Sequence, residues 1–184
     1  MPLKITIQPI DLWDEKTESF ISIKNPVTLS LEHSLVSMSK WEAKWKKPFL
    51  SNRQMSNEEM LDYIRCMTLT QNVNPNVYYG LREDNLKAIS DYLEDPMTAT
   101  TFNDGRTASN SYRNRRITSE EIYYLMFSNN IPLDFQKWHL NRLLTLIKVF
   151  GTKNTPPKKM SKSEMISNYA AINRANKAKF HTKG

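Results

Sequence analysis

The sequence predicts an α+β fold that is mainly helical: a short N-terminal β element, then five or six helices, then a basic C-terminal helix or extension. Three observations carry this expectation. Apolar residues recur at every second position within the first 31 residues and at helical spacing from about Glu32. Ser56-Asn57-Glu58-Glu59, Thr118-Ser119-Glu120-Glu121 and Ser161-Lys162-Ser163-Glu164 each read as a capping box, the signature of a helix start. The excess positive charge sits at the C-terminal end alone.

Lys4-Ile5-Thr6-Ile7-Gln8 and Ser19-Phe20-Ile21-Ser22-Ile23-Lys24 alternate polar and apolar residues. Val27-Thr28-Leu29-Ser30-Leu31 does the same after the breaker Asn25-Pro26. Period-two stretches with β-branched residues predict a small half-buried antiparallel sheet or ribbon. Leu35, Met38, Trp41, Ala43 and Trp45 then lean toward helical spacing, and Pro48 ends the run. The Ser56 box predicts a helix through Met60, Leu61, Ile64 and Met67. Pro75 and Gly80 mark a loop, and a helix is expected over 84–94 through Leu86, Ile89, Tyr92 and Leu93.

Residues 98–116 read as a mobile surface loop, with a turn at Asn103-Asp104-Gly105-Arg106. The Thr118 box predicts a helix carrying Ile122, Leu125 and Met126, broken at Asn129-Asn130-Ile131-Pro132. The strongest helical pattern runs from about Asp134 to Phe150. Leu140, Leu143, Leu144 and Ile147 fall on one face of it, and Gly151 is placed as its C-terminal stop. Pro156-Pro157 then separates body from tail. The Ser161 box predicts a last helix over Met165, Ile166, Tyr169 and Ile172 that can dock by its first turns and leave its basic end free.

Of the 26 basic and 19 acidic residues, eight basic and one acidic fall in residues 153–184, which leaves 18 of each in residues 1–152. A neutral body (residues 1–152, β-rich over 1–31 and helical over 32–152) thus precedes a cationic tail (153–184). The tail is suited to meet something acidic. One cysteine excludes an internal disulfide framework and fits a reducing compartment. Cys66 lies among Ile64, Met67 and Leu69 and reads as a small packing residue. No apolar run approaches the roughly 20 residues that a membrane span needs, and the N-terminus does not read as a signal peptide.

Catalytic patterns are weak. Four scattered glycines give no phosphate-cradling loop. Lys159-Met160-Ser161-Lys162-Ser163 spells the KMSKS signature of class I aminoacyl-tRNA synthetases, but the histidine motif that accompanies it there is missing. His33, His139 and His181 have no metal-ligand spacing. Glu58, Glu59, Glu120 and Glu121 sit in first helical turns, where the helix dipole accounts for them. No cofactor or metal is expected. Trp41 and Trp45 among Lys40, Lys44, Lys46 and Lys47 can form a basic aromatic patch for nucleic acid, although two tryptophans at i and i+4 more often pack a helix against the body.

Several stretches together resemble the tail assembly chaperones of tailed bacteriophages. They include Ser39-Lys40-Trp41-Glu42-Ala43-Lys44-Trp45, Leu61-Asp62-Tyr63-Ile64-Arg65-Cys66-Met67 and Thr118-Ser119-Glu120-Glu121-Ile122-Tyr123-Tyr124. Trp138-His139-Leu140-Asn141-Arg142-Leu143-Leu144-Thr145-Leu146-Ile147 and Pro157-Lys158-Lys159-Met160-Ser161 follow. The similarity covers most of the chain from about residue 29. It implies a non-enzymatic protein of the host cytoplasm that transiently binds the tape measure protein and assists tail-tube assembly. Tape measure protein and tail tube protein are then the partners, with self-association possible. Expected core or groove residues are Trp41, Trp45, Trp138, Leu140, Leu143, Leu144 and Ile147. Lys158, Lys159 and Lys162 are the expected auxiliary contact. A structural virion component and a basic nucleic-acid-binding accessory protein are the alternatives.

Overall fold

Two antiparallel ribbons open the chain. A computed structural model describes residues 1–14, 18–51, 55–102, 117–154 and 162–180. β1 (Leu3–Ile7) pairs with β4 (Val27–Leu31), and β2 (Ile10–Asp14) pairs with β3 (Ser19–Ile23). The pairs are nested, so together they form one long hairpin with a break. Gln8-Pro9 interrupts one limb and Lys24-Asn25-Pro26 the other. Proline has no N–H to give to a ladder. Two residues face three across the gap, so the register steps by one, as at a bulge. β2 is an addition to the expected strands. Adjacent Leu12 and Trp13 break the alternation there, and pairing with β3 supplies the order.

One face of the β1–β4 pair enters the core through Ile5, Ile7, Leu29 and Leu31. The other carries Thr6 and Thr28, whose exposed hydroxyls lie 3.1 Å apart. β4 is stitched to the end of the second helix by Glu32 N–H to Met67 O and Leu69 N–H to Ser30 O.

α1 (Leu35–Trp45) starts at Ser34. Ser34 N–H donates to Ser37 Oγ at 2.9 Å and Ser37 N–H to Ser34 Oγ at 3.4 Å, a capping box built from two serines. Lys46, at φ 53°, ends the helix in the left-handed region. α2 (Asn57–Met67) is capped as the sequence predicts, with Glu59 N–H on Ser56 Oγ and Ser56 N–H on Glu59 Oε2. Pro75–Gly80 is a 3-10 turn where the sequence suggests a loop. α3 (Glu83–Glu94) packs against β1.

α4 (Ser119–Ser128) follows the Thr118 box, and Asn129 caps it. Residues 103–116 of the expected surface loop lie outside the described residues. The strongest pattern of the sequence shifts in the structure. Leu133–Lys137 is a 3-10 turn, and α5 spans Leu140–Asn154 rather than 134–150. Trp138 is extended, and His139 bridges Ser34 before the helix begins. Gly151 is therefore no stop: it lies inside α5, without a positive φ. α6 (Lys162–Phe180) is the last element. Ser161, its expected cap, lies outside the described residues.

The chain divides into two units, Met1–Phe150 and Gly151–Gly184. The first holds two apolar clusters. One joins the β1–β4 face, Trp41, Tyr63, Ile64, Met67, Val77 and Ile89. The other joins Leu35, Met38, Ile122, Met126, Leu140, Leu143 and Ile147. α1 serves both clusters from one stripe. Each large side chain buried this way contributes roughly 1.5–3 kcal/mol. No helix among the described residues is long and apolar enough to cross a membrane.

Candidate functional site

The tryptophans of α1 meet α2. Trp41 is fully buried, and its Nε1 donates to Glu59 O at 2.9 Å. Trp45 stacks on it at 6.2 Å, is half-buried, and donates from Nε1 to Asp62 Oδ2 at 2.9 Å. Lys44 pairs with Asp62 and Lys47 with Glu59. Two of the four lysines that suggest a basic patch are thus neutralised by α2 carboxylates, and the Trp41 ring cannot be reached. The structure makes Trp41 and Trp45 a helix-packing pair.

The α5 positions divide similarly. Leu140 and Leu143 are fully buried, Ile147 is 9% exposed and Leu144 is half-buried. They fill the second apolar cluster. Trp138 is half-buried just before the helix, stacked on Phe135 at 4.0 Å, with the Arg142 guanidinium 4.2 Å from its ring. Arg142 is exposed, so this cation–π pair faces solvent. Lys158 and Lys159 lie outside the described residues. Lys162 begins α6.

The accessible apolar surface lies elsewhere. On α6, Met165, Ile166, Tyr169, Ile172 and Phe180 are between 43% and 69% exposed. Spacings of i, i+4 and i+7 put Met165, Tyr169 and Ile172 on one face. The sequence marks the first of these residues as a docking face. Tyr124 and Phe127 stand out from α4, 71% and 63% exposed. Trp13 and Phe20 face each other across β2 and β3, edge to face at 5.0 Å, on the solvent side of the ribbon. Sequence reasoning misses both groups. Their only signal is an aromatic at a position where the period calls for a polar residue.

A buried polar junction joins the two apolar clusters. His33 Nδ1 lies 2.5 Å from the Tyr63 hydroxyl, and the His33 and His139 rings are 5.0 Å apart. The Tyr92 carbonyl only accepts, so His139 donates to it from Nε2–H, at 2.9 Å. His139 Nδ1 is then an unprotonated acceptor, buried and without a partner among the described residues. Burial, with the nearby His139, pushes the His33 pKa down to about 3. Burial also lowers that of His139, against the pull of the Tyr92 carbonyl. Both imidazoles are neutral at pH 7 and enclosed. Burial raises the Tyr63 hydroxyl and the Cys66 thiol, so neither is an activated nucleophile.

A shallow open cleft between β3, β4 and residues 70–77 is lined by Asn25, Gln71, Asn72 and Asn74. Among the described residues of its wall, Lys24 is the one ionisable group, so the cleft offers no acid–base pair. No group of three or more metal-ligating side chains occurs among the described residues. No family model matches the sequence, and no curated protein and no solved structure matches it.

Proposed function

We propose that this chain is a non-enzymatic tail assembly chaperone of a tailed bacteriophage. In this reading it transiently binds the tape measure protein in the host cytoplasm and assists the tail tube protein to assemble around it. The observation that supports the reading is the exposed apolar stripe Met165–Ile166–Tyr169–Ile172 on α6. Large apolar side chains in a row at helical spacing are the anchors of helix-in-groove recognition. A long client with apolar helical faces offers the matching surface. Methionine plasticity contributes less than the composition suggests, because Met38, Met67 and Met126 are core residues.

Co-expression with the neighbouring tail proteins, followed by pull-down, tests the proposal. The tape measure protein is expected in the soluble eluate with the wild-type chain and depleted with Ile166→Ser/Tyr169→Ser/Ile172→Ser. A tape measure protein that stays soluble yet never co-elutes contradicts it.

The cationic tail favours one other reading, an accessory protein that binds nucleic acid. Arg174, Lys177 and Lys179 are exposed on α6. Binding of that kind falls steeply with salt and disappears on deletion of residues 153–184. Absence of binding at low salt removes this alternative.

A further inference from the structure

The second limb of the hairpin, β3 followed by β4, has a half-paired outer edge. Over β4 that edge already holds an antiparallel chain. Leu31 bridges Thr68, Leu69 N–H donates to Ser30 O at 2.7 Å, and Glu32 N–H donates to Met67 O at 2.8 Å. At Thr70 a side chain takes over from the main chain, because Ser30 N–H donates to Thr70 Oγ1 at 3.0 Å. Residues 71–72 then turn, with Asn72 at φ 56°, and the open cleft lies between this departing chain and the hairpin. From there the edge belongs to β3, which pairs with β2 on one side and, among the described residues, with no strand on the other. Every second N–H and C=O of a strand in an antiparallel pair faces away from its partner. Sheet edges are usually guarded against further pairing by charged side chains or proline. Ser19-Phe20-Ile21-Ser22-Ile23 holds neither, and Lys24 follows only after its last residue.

We propose that the β3 edge and the cleft beside it bind an extended polypeptide strand of another protein. The cleft has a volume of about 340 Å³. Ile23 and Val77 are buried in its wall and Val27 and Val73 are half-buried, an apolar floor suited to small aliphatic side chains. Asn25, Gln71, Asn72 and Asn74 are exposed around it. A side-chain amide carries both donors and an acceptor, as a peptide group does, so a set of amides can bind a main chain whatever its side chains. Asn74 Oδ1 accepts the N–H of Asn76, which holds that side chain and leaves its own N–H pair without a partner among the described residues. A strand added here would continue over β3 the pairing that residues 67–70 make with β4. Other ligand classes fit less well. Among the described residues the wall has no aromatic ring for a sugar to stack on, and Lys24 is a single cation for a phosphate. A helix keeps its main-chain groups for itself and has none to give to the edge.

Fluorescence anisotropy tests the proposal without any tail protein, so its result is independent of the function proposed above. The probe is a labelled eight-residue Thr–Val repeat, capped at both ends, titrated with the full-length chain. Saturable binding is expected with the wild type. Asn25→Ala/Gln71→Ala/Asn72→Gly changes exposed amides only, and glycine keeps the left-handed turn at position 72. This variant is expected to unfold at the wild-type midpoint and to bind the probe about tenfold more weakly. A Thr–Pro repeat, which lacks every second N–H, is expected not to bind. Hydrogen exchange of the wild type is expected to show new protection over residues 19–23 when the Thr–Val probe is present. A wild type that binds no probe at its highest soluble concentration overturns the proposal. So does equal binding by the variant, or protection confined to other residues. A wild-type dimer that the same variant breaks would place a second copy on the edge and overturn the assignment to another protein's strand.

Discussion

The Glu42 carboxylate accepts the backbone N–H of Ser119 at 2.8 Å, from 77 residues away in the sequence. Its other oxygen accepts the N–H of Phe49 at 2.7 Å. Ser119 is the first residue of α4, so its N–H is one of the donors that a helix cannot satisfy internally. A buried acid on α1 thereby caps α4 and holds the turn that follows α1, beside the bridge between Leu50 and Ile117.

Glu42→Ala leaves two N–H groups without their acceptor in a buried site. It is expected to cost about 2–4 kcal/mol. Glu42→Gln keeps one acceptor oxygen and turns a donor toward the other N–H, so it is expected to cost less. Urea denaturation measures both. A loss within the noise for Glu42→Ala would mean that this junction does not hold the fold.

Acid is expected to destabilise the fold through His33. The folded imidazole resists a proton until about pH 3, whereas the unfolded one takes it near 6.5. Below pH 6.5 the unfolded state binds the extra proton, so stability falls as pH falls, at up to about 1.4 kcal/mol per pH unit. His139 is shifted in the same direction and adds to the slope. Unfolding free energies between pH 6.5 and 5 isolate the histidines from most carboxylates. A flat profile there contradicts the burial of these rings.

Trp41 and Trp45 are expected to separate by stability. Trp41→Ala removes a fully buried ring and its bond to Glu59 O, for about 3–5 kcal/mol. Trp45→Phe keeps an aromatic in a half-buried position and loses one bond to Asp62, for about 1 kcal/mol. Equal effects in thermal or urea unfolding would contradict the packing described. Loss of partner binding in Trp41→Ala is expected to follow unfolding rather than report a contact.

Two glycines give opposite expectations. A Cβ at Gly80 would lie 2.9 Å from Ile7 Cγ2 and 3.2 Å from Ile10 Cγ2. Both are branch methyls close to the backbone, so Gly80→Ala is expected to cost about 1–3 kcal/mol. A Cβ at Gly151 would meet nothing within 4 Å, inside a helix. Gly151→Ala is expected to stabilise by about 0.5–1 kcal/mol. A stabilised Gly80→Ala or a destabilised Gly151→Ala would contradict the backbone at that site.

Local signals make most elements readable. Ser56 with Glu59 and Thr118 with Glu121 mark α2 and α4, because a capping box is a short-range contract between side chain and backbone. Alternation places β1, β3 and β4 to within a residue. Where sequence and structure part, distant partners decide. Nothing in the pattern over 134–150 shows that the helix waits until Leu140, because His139 is drawn to Ser34 and to the carbonyl of Tyr92. Gly151 resembles a stop, yet the helix continues through it to Asn154. The lysines beside Trp45 look basic in sequence and are paired in space with Asp62 and Glu59. A periodic apolar stripe is the same text whether it is covered or exposed, and that divides Leu140 and Leu143 from Tyr169 and Ile172.

The proposed function requires the chain to shelter apolar helices of another protein. Light scattering by a purified tape measure protein fragment, diluted from denaturant with and without the full-length chain, tests this most directly. Scattering is expected to be suppressed by the wild type and restored by Ile166→Ser/Tyr169→Ser/Ile172→Ser. Scattering that the wild-type chain leaves unchanged at excess would contradict the proposed role.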